Sequence, residues 1–289
     1  MTTTPKHRLR WYQYSLRSLF VLMVLVAALG SWFAWKKQPV DRQRAAVKAI
    51  KEMGGSVTFD WESDNPFAIP KADPPGPAWL RNLLGDDFFI HVIGVYLIDT
   101  QVTDAGLAQV NELPQLKPSL LYGTKITDAG LEHLKGLPQL QTFSLHSNKV
   151  TNAGLEHLKG LTQLTKLYLS GTQVTDAGLE HLKGLTQLQT LYLSDSQITD
   201  AGLEHLKGLT QLTELLLGGT QITDAGLERL KGLTQLQTLW LSGSQITDAG
   251  LEHLKGLKQL KFLDFSHTKV TDEGVERLRQ ALPHCRIDH

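Results

Sequence analysis

Hydrophobic and polar residues recur with one fixed period over most of the chain. Within one period, Leu167 and Leu169 alternate with outward-facing neighbours, which is the two-residue spacing of a strand with one buried face. Leu179 and Leu182 then follow at the three-residue spacing of a helix. The apolar positions of this period are Leu164, Leu167, Leu169, Val174, Leu179, Leu182 and Leu185. The pattern predicts a short strand, a turn, a short helix and a return in every period.

The period is 24 residues long, without insertions between successive marker threonines. These markers are Thr103, Thr127, Thr151, Thr175, Thr199, Thr223, Thr247 and Thr271. We expect Thr175 or Asp176 to cap the helix of its unit, and Gly184 to end that helix in a left-handed conformation. A fixed period in this range indicates a solenoid. One unit cannot bury its own leucines, so neighbouring units have to stack and pair their strands in parallel.

The repeated pattern LxxLxLxxTxVTDAGLxxLxxL resembles the leucine-rich repeat, in the short form common in bacterial proteins. The resemblance covers residues 92–287 and implies an α/β fold. This fold is a right-handed solenoid, or horseshoe, with a parallel concave sheet and short convex helices. The position where the family usually carries asparagine falls on Thr172, and among its equivalents Asn148 alone matches the family. The other equivalents are Thr100, Thr124, Ser196, Thr220, Ser244 and Thr268.

Both ends of the repeat array depart from the common pattern. In the second unit Pro118 and Ser119 replace a strand residue and a leucine, so we expect a bulge or a frayed strand there. The last unit has one extra residue before Cys285 and Ile287, which we expect to form a final edge strand that shields the core. The predicted repeat domain, residues 92–289, therefore holds eight repeats and a C-terminal cap.

An uncharged apolar run, Leu19 to Trp35, precedes the repeats and predicts a single-pass transmembrane helix over residues 19–37. Aromatic residues flank this run at both ends, as at the two interfaces of a bilayer. The alternative is a cleaved signal peptide, with Ala28-Leu29-Gly30 as the cleavage region. Resemblance to bacterial single-pass leucine-rich repeat proteins implies a basic cytoplasmic tail, residues 1–18, and a repeat domain on the exported, extracytoplasmic side.

Residues 38–91 lie between the predicted anchor and the repeats. They predict a helix that begins near Asp41 after an interruption at Pro39 and stops at Gly54-Gly55, followed by a strand over Val57–Trp61. A proline-rich linker between Pro66 and Pro77 and a short helix ending at Gly85 come next. We interpret this region as an N-terminal cap of the solenoid, with a separate sensing module as the alternative.

The charge distribution and the cysteine content limit the classes of partner and of covalent cross-link that the chain can have. Residues 1–55 hold ten Lys/Arg and two Asp/Glu, whereas the remainder holds 19 and 27, and an acidic body argues against nucleic acid as a partner. Cys285 is the only cysteine, so an intrachain disulfide is excluded, and we interpret it as a buried structural residue.

The outward strand positions in the middle of the predicted sheet are candidates for binding. They are Tyr96, Leu120, Ser144, Tyr168, Tyr192, Leu216, Trp240 and Asp264. An exposed aromatic and apolar stripe is typical of protein contacts. The alternative is that these side chains only stack across neighbouring strands and stabilise the sheet. The predicted binding residues are Tyr96, Lys166, Tyr168, Tyr192, Glu214, Leu216, Trp240 and Asp264, and the three charged members would orient the partner.

The predicted convex helices carry a histidine ladder, but its members lie beside Glu and Lys without the spacing of a ligand cluster, so we predict no metal or cofactor site. The ladder consists of His133, His157, His181, His205 and His253. The sequence has no GxSxG, HExxH or phosphate-loop motif, and its polar residues recur in most units, which argues against a catalytic site. We predict a non-enzymatic, membrane-anchored protein that binds a protein or peptide. A self-associating envelope scaffold and a carbohydrate binder remain open.

Overall fold

A computed structural model describes residues 16–62, 74–122, 124–146 and 149–289. The chain divides into two compact units between Arg42 and Gln43. Residues 1–15 of the expected basic tail, most of the proline-rich linker and Asn148 lie outside the described residues.

The first unit contains the beginning of helix α1, which spans Leu16–Glu52. Its apolar residues are exposed, for example Phe20 at 64% and Leu29 at 63%. Within the described part of the chain, α1 is the one helix long and apolar enough to cross a membrane. The expected interruption at Pro39 is wrong, because Pro39 lies inside α1. A proline removes one helical hydrogen bond, and at an exposed position water can satisfy the freed carbonyl.

The second unit begins with the last turns of α1 and the segment that precedes the repeats. Ala46 and Ile50 are fully buried on one face of the helix, which ends as expected before Gly54, whose φ is 82°. Strand β1, Ser56–Phe59, then pairs antiparallel with β2, Val92–Tyr96. Trp61, which was expected in the first of these strands, lies in the turn after it. Helix α2, Ala78–Leu84, ends at Gly85 as the sequence predicts and is followed by a 3₁₀ turn over Asp86–Phe88.

The sheet contains ten strands in chain order within the described residues. From β2 onward all neighbours are parallel, as predicted from the stacking of the repeats. The strands are β2 Val92–Tyr96, β3 Pro118–Leu120, β4 Thr142–Ser144, β5 Lys166–Tyr168, β6 Thr190–Tyr192, β7 Glu214–Leu216, β8 Thr238–Trp240, β9 Phe262–Asp264 and β10 Arg286–Asp288.

One short helix follows each strand from β2 to β9. These helices are α3 Asp104–Leu107, α4 Asp128–Leu131, α5 Asn152–Leu155, α6 Asp176–Leu179, α7 Asp200–Leu203, α8 Asp224–Arg229, α9 Asp248–Leu251 and α10 Asp272–Ala281. Helices α3 to α7 and α9 continue as 3₁₀ turns, such as Glu180–Leu182 after α6. The left-handed end expected at Gly184 is wrong, because Gly184 does not have a positive φ, and Lys183 before it is right-handed, with φ −53° and ψ −32°.

The leucine ladder forms the continuous core that the pattern predicts. Leu167 and Leu169 are fully buried, and so are their equivalents in the neighbouring units. Each unit closes its core against the next one, which is why the array is stable although a single unit is not.

Aspartate side chains join consecutive units. Asp176 Oδ1 accepts a hydrogen bond from Thr199 N at 2.8 Å, and Asp176 Oδ2 accepts one from Thr199 Oγ1 at 2.6 Å. The threonine of the following unit donates the same pair of bonds to the corresponding aspartate in five other units, which are Asp104, Asp128, Asp200, Asp224 and Asp248. The expectation that these aspartates cap their own helices is therefore wrong. The expectation is also wrong for Thr175, whose side chain forms no cap bond to its helix. It holds for the equivalent threonine of other units, where Oγ1 of Thr199, for example, accepts from Ala201 N at 3.3 Å.

This joint explains the glycine in the Asp-Ala-Gly-Leu segment. A Cβ atom on Gly202 would lie 2.3 Å from Asp176 Oδ1. The carboxylate thus occupies the space that any larger residue would need.

The irregular units are more regular than expected. Pro118 is the first residue of β3, and all three residues of this strand stay in register with β4, so the expected bulge is wrong. On the side of β2 only Ser119 and Leu120 are paired, so the expected fraying is confined to Pro118. Proline is tolerated at a strand's first position, and Lys117 N next to it donates to Ile93 O at 2.7 Å. At the other end, the predicted edge strand is confirmed as β10, with Ile287 7% exposed and Cys285 just before it.

Hydroxyl groups replace the family's asparagine inside the turn. Thr172 Oγ1 donates to Leu169 O at 2.6 Å, and Thr220 Oγ1 donates to Leu217 O at 2.5 Å. Both residues are about 5% exposed or less. The hydroxyl of each short side chain therefore finds its hydrogen-bond acceptor within its own unit, at the carbonyl three residues earlier.

Candidate functional site

The parallel register brings the predicted central row onto one face of the sheet. The pairs Tyr168–Tyr192, Tyr192–Leu216, Leu216–Trp240 and Trp240–Asp264 are direct neighbours on adjacent strands. Lys166 and Glu214 lie in the neighbouring row, two residues earlier on their strands. The sequence-predicted residues from β5 to β9 therefore form one continuous surface.

Exposure varies along the central row. Trp240 is 40% exposed, and Tyr168, Tyr192, Leu216 and Asp264 are partly exposed. The exposure expected for Tyr96 is wrong, since this residue is 7% exposed. Its ring packs beside Gly94, where an added Cβ would approach Tyr96 Cε2 to 3.2 Å.

Two tyrosines and a glutamate form the middle of the site. The rings of Tyr168 and Tyr192 meet edge to face, with centroids 4.7 Å apart and an interplanar angle of 87°. Glu214 Oε2 accepts hydrogen bonds from the Tyr192 hydroxyl and from Thr190 Oγ1, both at 3.3 Å. Burial, and then the nearby Glu214 charge, raise the pKa of Tyr168. Burial, the Glu214 charge, Tyr168 and the hydrogen bond to Glu214 raise the pKa of Tyr192 to about 12. Both hydroxyls therefore stay neutral donors at physiological pH.

The aromatic surface extends further than the sequence analysis predicted. Phe262 lies 5.6 Å from Trp240, centroid to centroid, and carries the Arg286 guanidinium 5.5 Å above its ring. Arg286 also forms two hydrogen bonds to the Asp288 carboxylate, at 3.1 and 3.0 Å. Phe262 occupies the same repeat position as Lys166 and Glu214, so the 24-residue spacing could have identified it.

The other end of the sheet differs in chemistry. A cleft of about 360 Å³ lies there, and its lining includes Lys117, Gln141, Thr142 and Lys166. Further along the strand ends, Tyr122 stacks on His146 with centroids 4.9 Å apart, and Ile98 is 43% exposed. The concave face is thus cationic between β3 and β5 and aromatic with carboxylates towards β9.

The outer face carries ordinary ion pairs. Lys207 pairs with Glu204 at 2.6 Å, and Arg229, which replaces a histidine of the ladder, also pairs with Glu204. His157, His181 and His205 are partly buried, and the Nδ1 atom of each has no hydrogen-bond partner in the described part of the chain. No group of three potential metal ligands occurs among the residues that the structure describes.

Comparisons with known proteins agree with this architecture. A family model for leucine-rich repeats in two copies matches residues 162–208 and 210–256, and two further leucine-rich repeat models match residues 120–174 and 258–278. No curated protein matches the chain significantly.

Solved structures with the same fold include two internalins of Listeria monocytogenes. The chain is similar to internalin C2 at 30% identity and a TM-score of 0.57, and the match covers 68% of this chain and 80% of the internalin chain. Internalin F matches at 24% identity and a TM-score of 0.51, over 63% of this chain and 56% of the internalin chain. The family models, the internalin C2 match and the ladder of stacked 24-residue units identify this chain as a member of the leucine-rich repeat family.

Proposed function

We propose that the protein is a membrane-anchored, non-enzymatic binding protein that holds a protein or peptide partner on its concave face. The observation that carries this proposal is the row from Tyr168 to Trp240, which presents aromatic and apolar side chains on consecutive strands. Leucine-rich repeat proteins use such extended concave surfaces for binding other proteins. Large rigid aromatic side chains supply contact area at a small entropic cost, which suits a binding surface.

Part of the aromatic surface is exposed beyond what cross-strand stacking requires. The rings of Tyr168 and Tyr192 pack against each other edge to face. Trp240 packs against Phe262, but 40% of its surface stays exposed. Apolar area of this kind favours burial by a partner at about 25 cal/mol per Å². This difference makes Trp240 the preferred position for detecting a partner.

Site-specific photo-cross-linking in native membranes tests the proposal. A photoreactive amino acid in place of Trp240 should give a cross-linked product, and the same label in place of Lys207 on the convex face is the matched control. The product should weaken when Tyr192→Ala is added, while far-UV circular dichroism shows unchanged folding. Equal products from both label positions, or none from Trp240, would contradict a concave binding site. A product with twice the mass of the protein would support self-association in place of a distinct partner.

The anchoring part of the proposal rests on the exposed apolar residues of α1. They include Val21, Leu25 and Trp35, each at least half exposed. The full chain should resist alkaline extraction from membranes, and a chain without residues 19–35 should be released. N-terminal sequencing of the mature protein distinguishes an anchor from a cleaved signal peptide, and protease accessibility in intact cells tests whether the repeats are exported.

A further inference from the structure

The concave face carries opposite charges at a fixed separation. Lys166 on β5 and Glu214 on β7 lie in one register row, with Thr190 between them. Two strand spacings separate their backbones by about 9.6 Å. The aromatic pair Tyr168–Tyr192 runs alongside this row, two residues further along the strands. A ligand that crosses the strands therefore meets a cation first and a carboxylate second.

The cationic end has the shape of a subsite. Lys117 and Lys166 both line the cleft of about 360 Å³, together with the polar side chains of Thr58, Gln141 and Thr142. Neither lysine forms an ion pair with a residue that the structure describes. Two ammonium groups, one amide and two hydroxyls around an open cleft suit a carboxylate.

The anionic end of the row, at Glu214, favours a cationic group. Glu214 is partly buried, and its hydrogen bonds come from two neutral hydroxyls, those of Thr190 and Tyr192. It forms no ion pair within the described residues. A partly desolvated carboxylate next to aromatic rings favours a guanidinium or an ammonium group, which gains both charge pairing and cation–π contact.

We propose, on the basis of the function proposed above, that the site binds an extended segment of a partner protein in a fixed charge order. An acidic side chain of the segment lies in the cleft of Lys117 and Lys166, and a basic side chain lies against Glu214. The middle of the cleft lies on β4, three strand spacings or about 14 Å from β7. An extended chain advances about 3.3 Å per residue, so the two side chains are three to five positions apart in the partner. Apolar side chains next to this pair pack on Tyr192, Leu216 and Trp240.

A random peptide library displayed on phage, selected against the full chain in detergent micelles, supplies the probe. We expect enriched peptides to contain an acidic and a basic residue at this separation. The best peptide and a version with its two charges exchanged are then synthesised and compared by fluorescence anisotropy. The original should bind at least about tenfold more tightly, a difference equivalent to about 1.4 kcal/mol.

A charge exchange in the protein makes the test specific. The double variant Lys166→Glu/Glu214→Lys should reverse the preference between the two peptides. The matched control exchanges Glu180 and Lys183, a convex pair 3.7 Å apart, and should keep the original preference. Equal binding of both peptides, or a preference that the double variant does not reverse, overturns the charge order but leaves concave binding intact. The same selection is run on a Tyr192→Ala/Trp240→Ala variant. If the unaltered protein enriches peptides no more strongly than this variant does, the result contradicts the proposed function and the charge order with it.

Discussion

The Asp176 joint between units predicts a measurable loss of stability. Asp176→Ala removes the bonds to Thr199 N and Thr199 Oγ1, which are 2.8 and 2.6 Å long. A hydrogen bond to a charged group contributes about 1.5–3 kcal/mol, and water can partly replace both bonds because Asp176 is partly exposed. We therefore expect the free energy of unfolding to fall by about 2–4 kcal/mol.

The chain itself supplies the matched comparison. Asn152 takes the place of the aspartate in its unit, accepts from Thr175 N at 2.9 Å and donates to Thr175 Oγ1 at 2.8 Å. An amide therefore keeps both contacts, but it loses the charge, and the threonine hydroxyl becomes the acceptor of the second bond. Asp176→Asn should cost about 1 kcal/mol, well below the alanine variant.

Urea unfolding of the full chain in detergent micelles, followed by far-UV circular dichroism, measures the difference. With a slope of about 3 kcal/mol per molar urea, the alanine variant should shift the midpoint by about 1 M. Glu180→Ala, which removes an exposed pair on the same unit, should change little. Equal midpoints for the alanine and asparagine variants would refute the assignment of the two bonds as the source of the stability.

Three further predictions concern other contacts. Gly202→Ala should destabilise the protein by about 1–3 kcal/mol, because the added Cβ atom would lie 2.3 Å from Asp176 Oδ1. The loss should be smaller in the Asp176→Ala background, where this clash is absent, and a double-mutant cycle measures the coupling between the two positions. Burial and Glu214 raise the pKa of Tyr192 to about 12, so the stability that its neutral hydroxyl contributes is complete below the ordinary tyrosine pKa and is lost as the pH rises towards 12. Glu214→Gln should lower this pKa, which an absorbance titration of tyrosinate measures, and an unaltered titration would rule out the Glu214 contact. Burial raises the pKa of the Cys285 thiol to about 11, so it should react with a thiol reagent many times more slowly in the native state than in urea, and equal rates would show that the last strand is open.

Sequence periodicity predicts the parts of this fold that depend on burial. Because side-chain direction in a strand alternates, Leu167 and Leu169 could only face the core together, and the constant spacing fixed the register of Tyr168, Tyr192 and Trp240 on the opposite face. The same reasoning failed for Asp176. A spacing of 24 residues does not tell whether a polar side chain bonds its own helix or the next unit, since both donors lie within reach of a short carboxylate.

The candidate site was predictable in position and less so in chemistry. Tyr96 was expected at the surface, but its burial depends on the missing side chain of Gly94 and on packing that no single-residue pattern encodes. The pairing of Glu214 with Tyr192 depends on a diagonal contact between strands. Pro39 and Pro118 were expected to interrupt elements, but Pro39 lies at an exposed position inside α1, and Pro118 is the first residue of β3, where a missing N–H group is tolerated.

The strict 24-residue register makes the array modular. Removing residues 176–199 would join Thr175 to Asp200, and repeating them would join Thr199 to a second copy of Asp176. Both aspartates begin the same segment, DAGLEHLKGLTQL, so either change would preserve the leucine ladder and the carboxylate joint of every remaining copy. Each copy adds one side chain to the central row, so a change in copy number would lengthen or shorten the groove by one strand without redesign of the interior. Recombination between near-identical copies is therefore a route by which such a protein could acquire new partners while its fold stays the same.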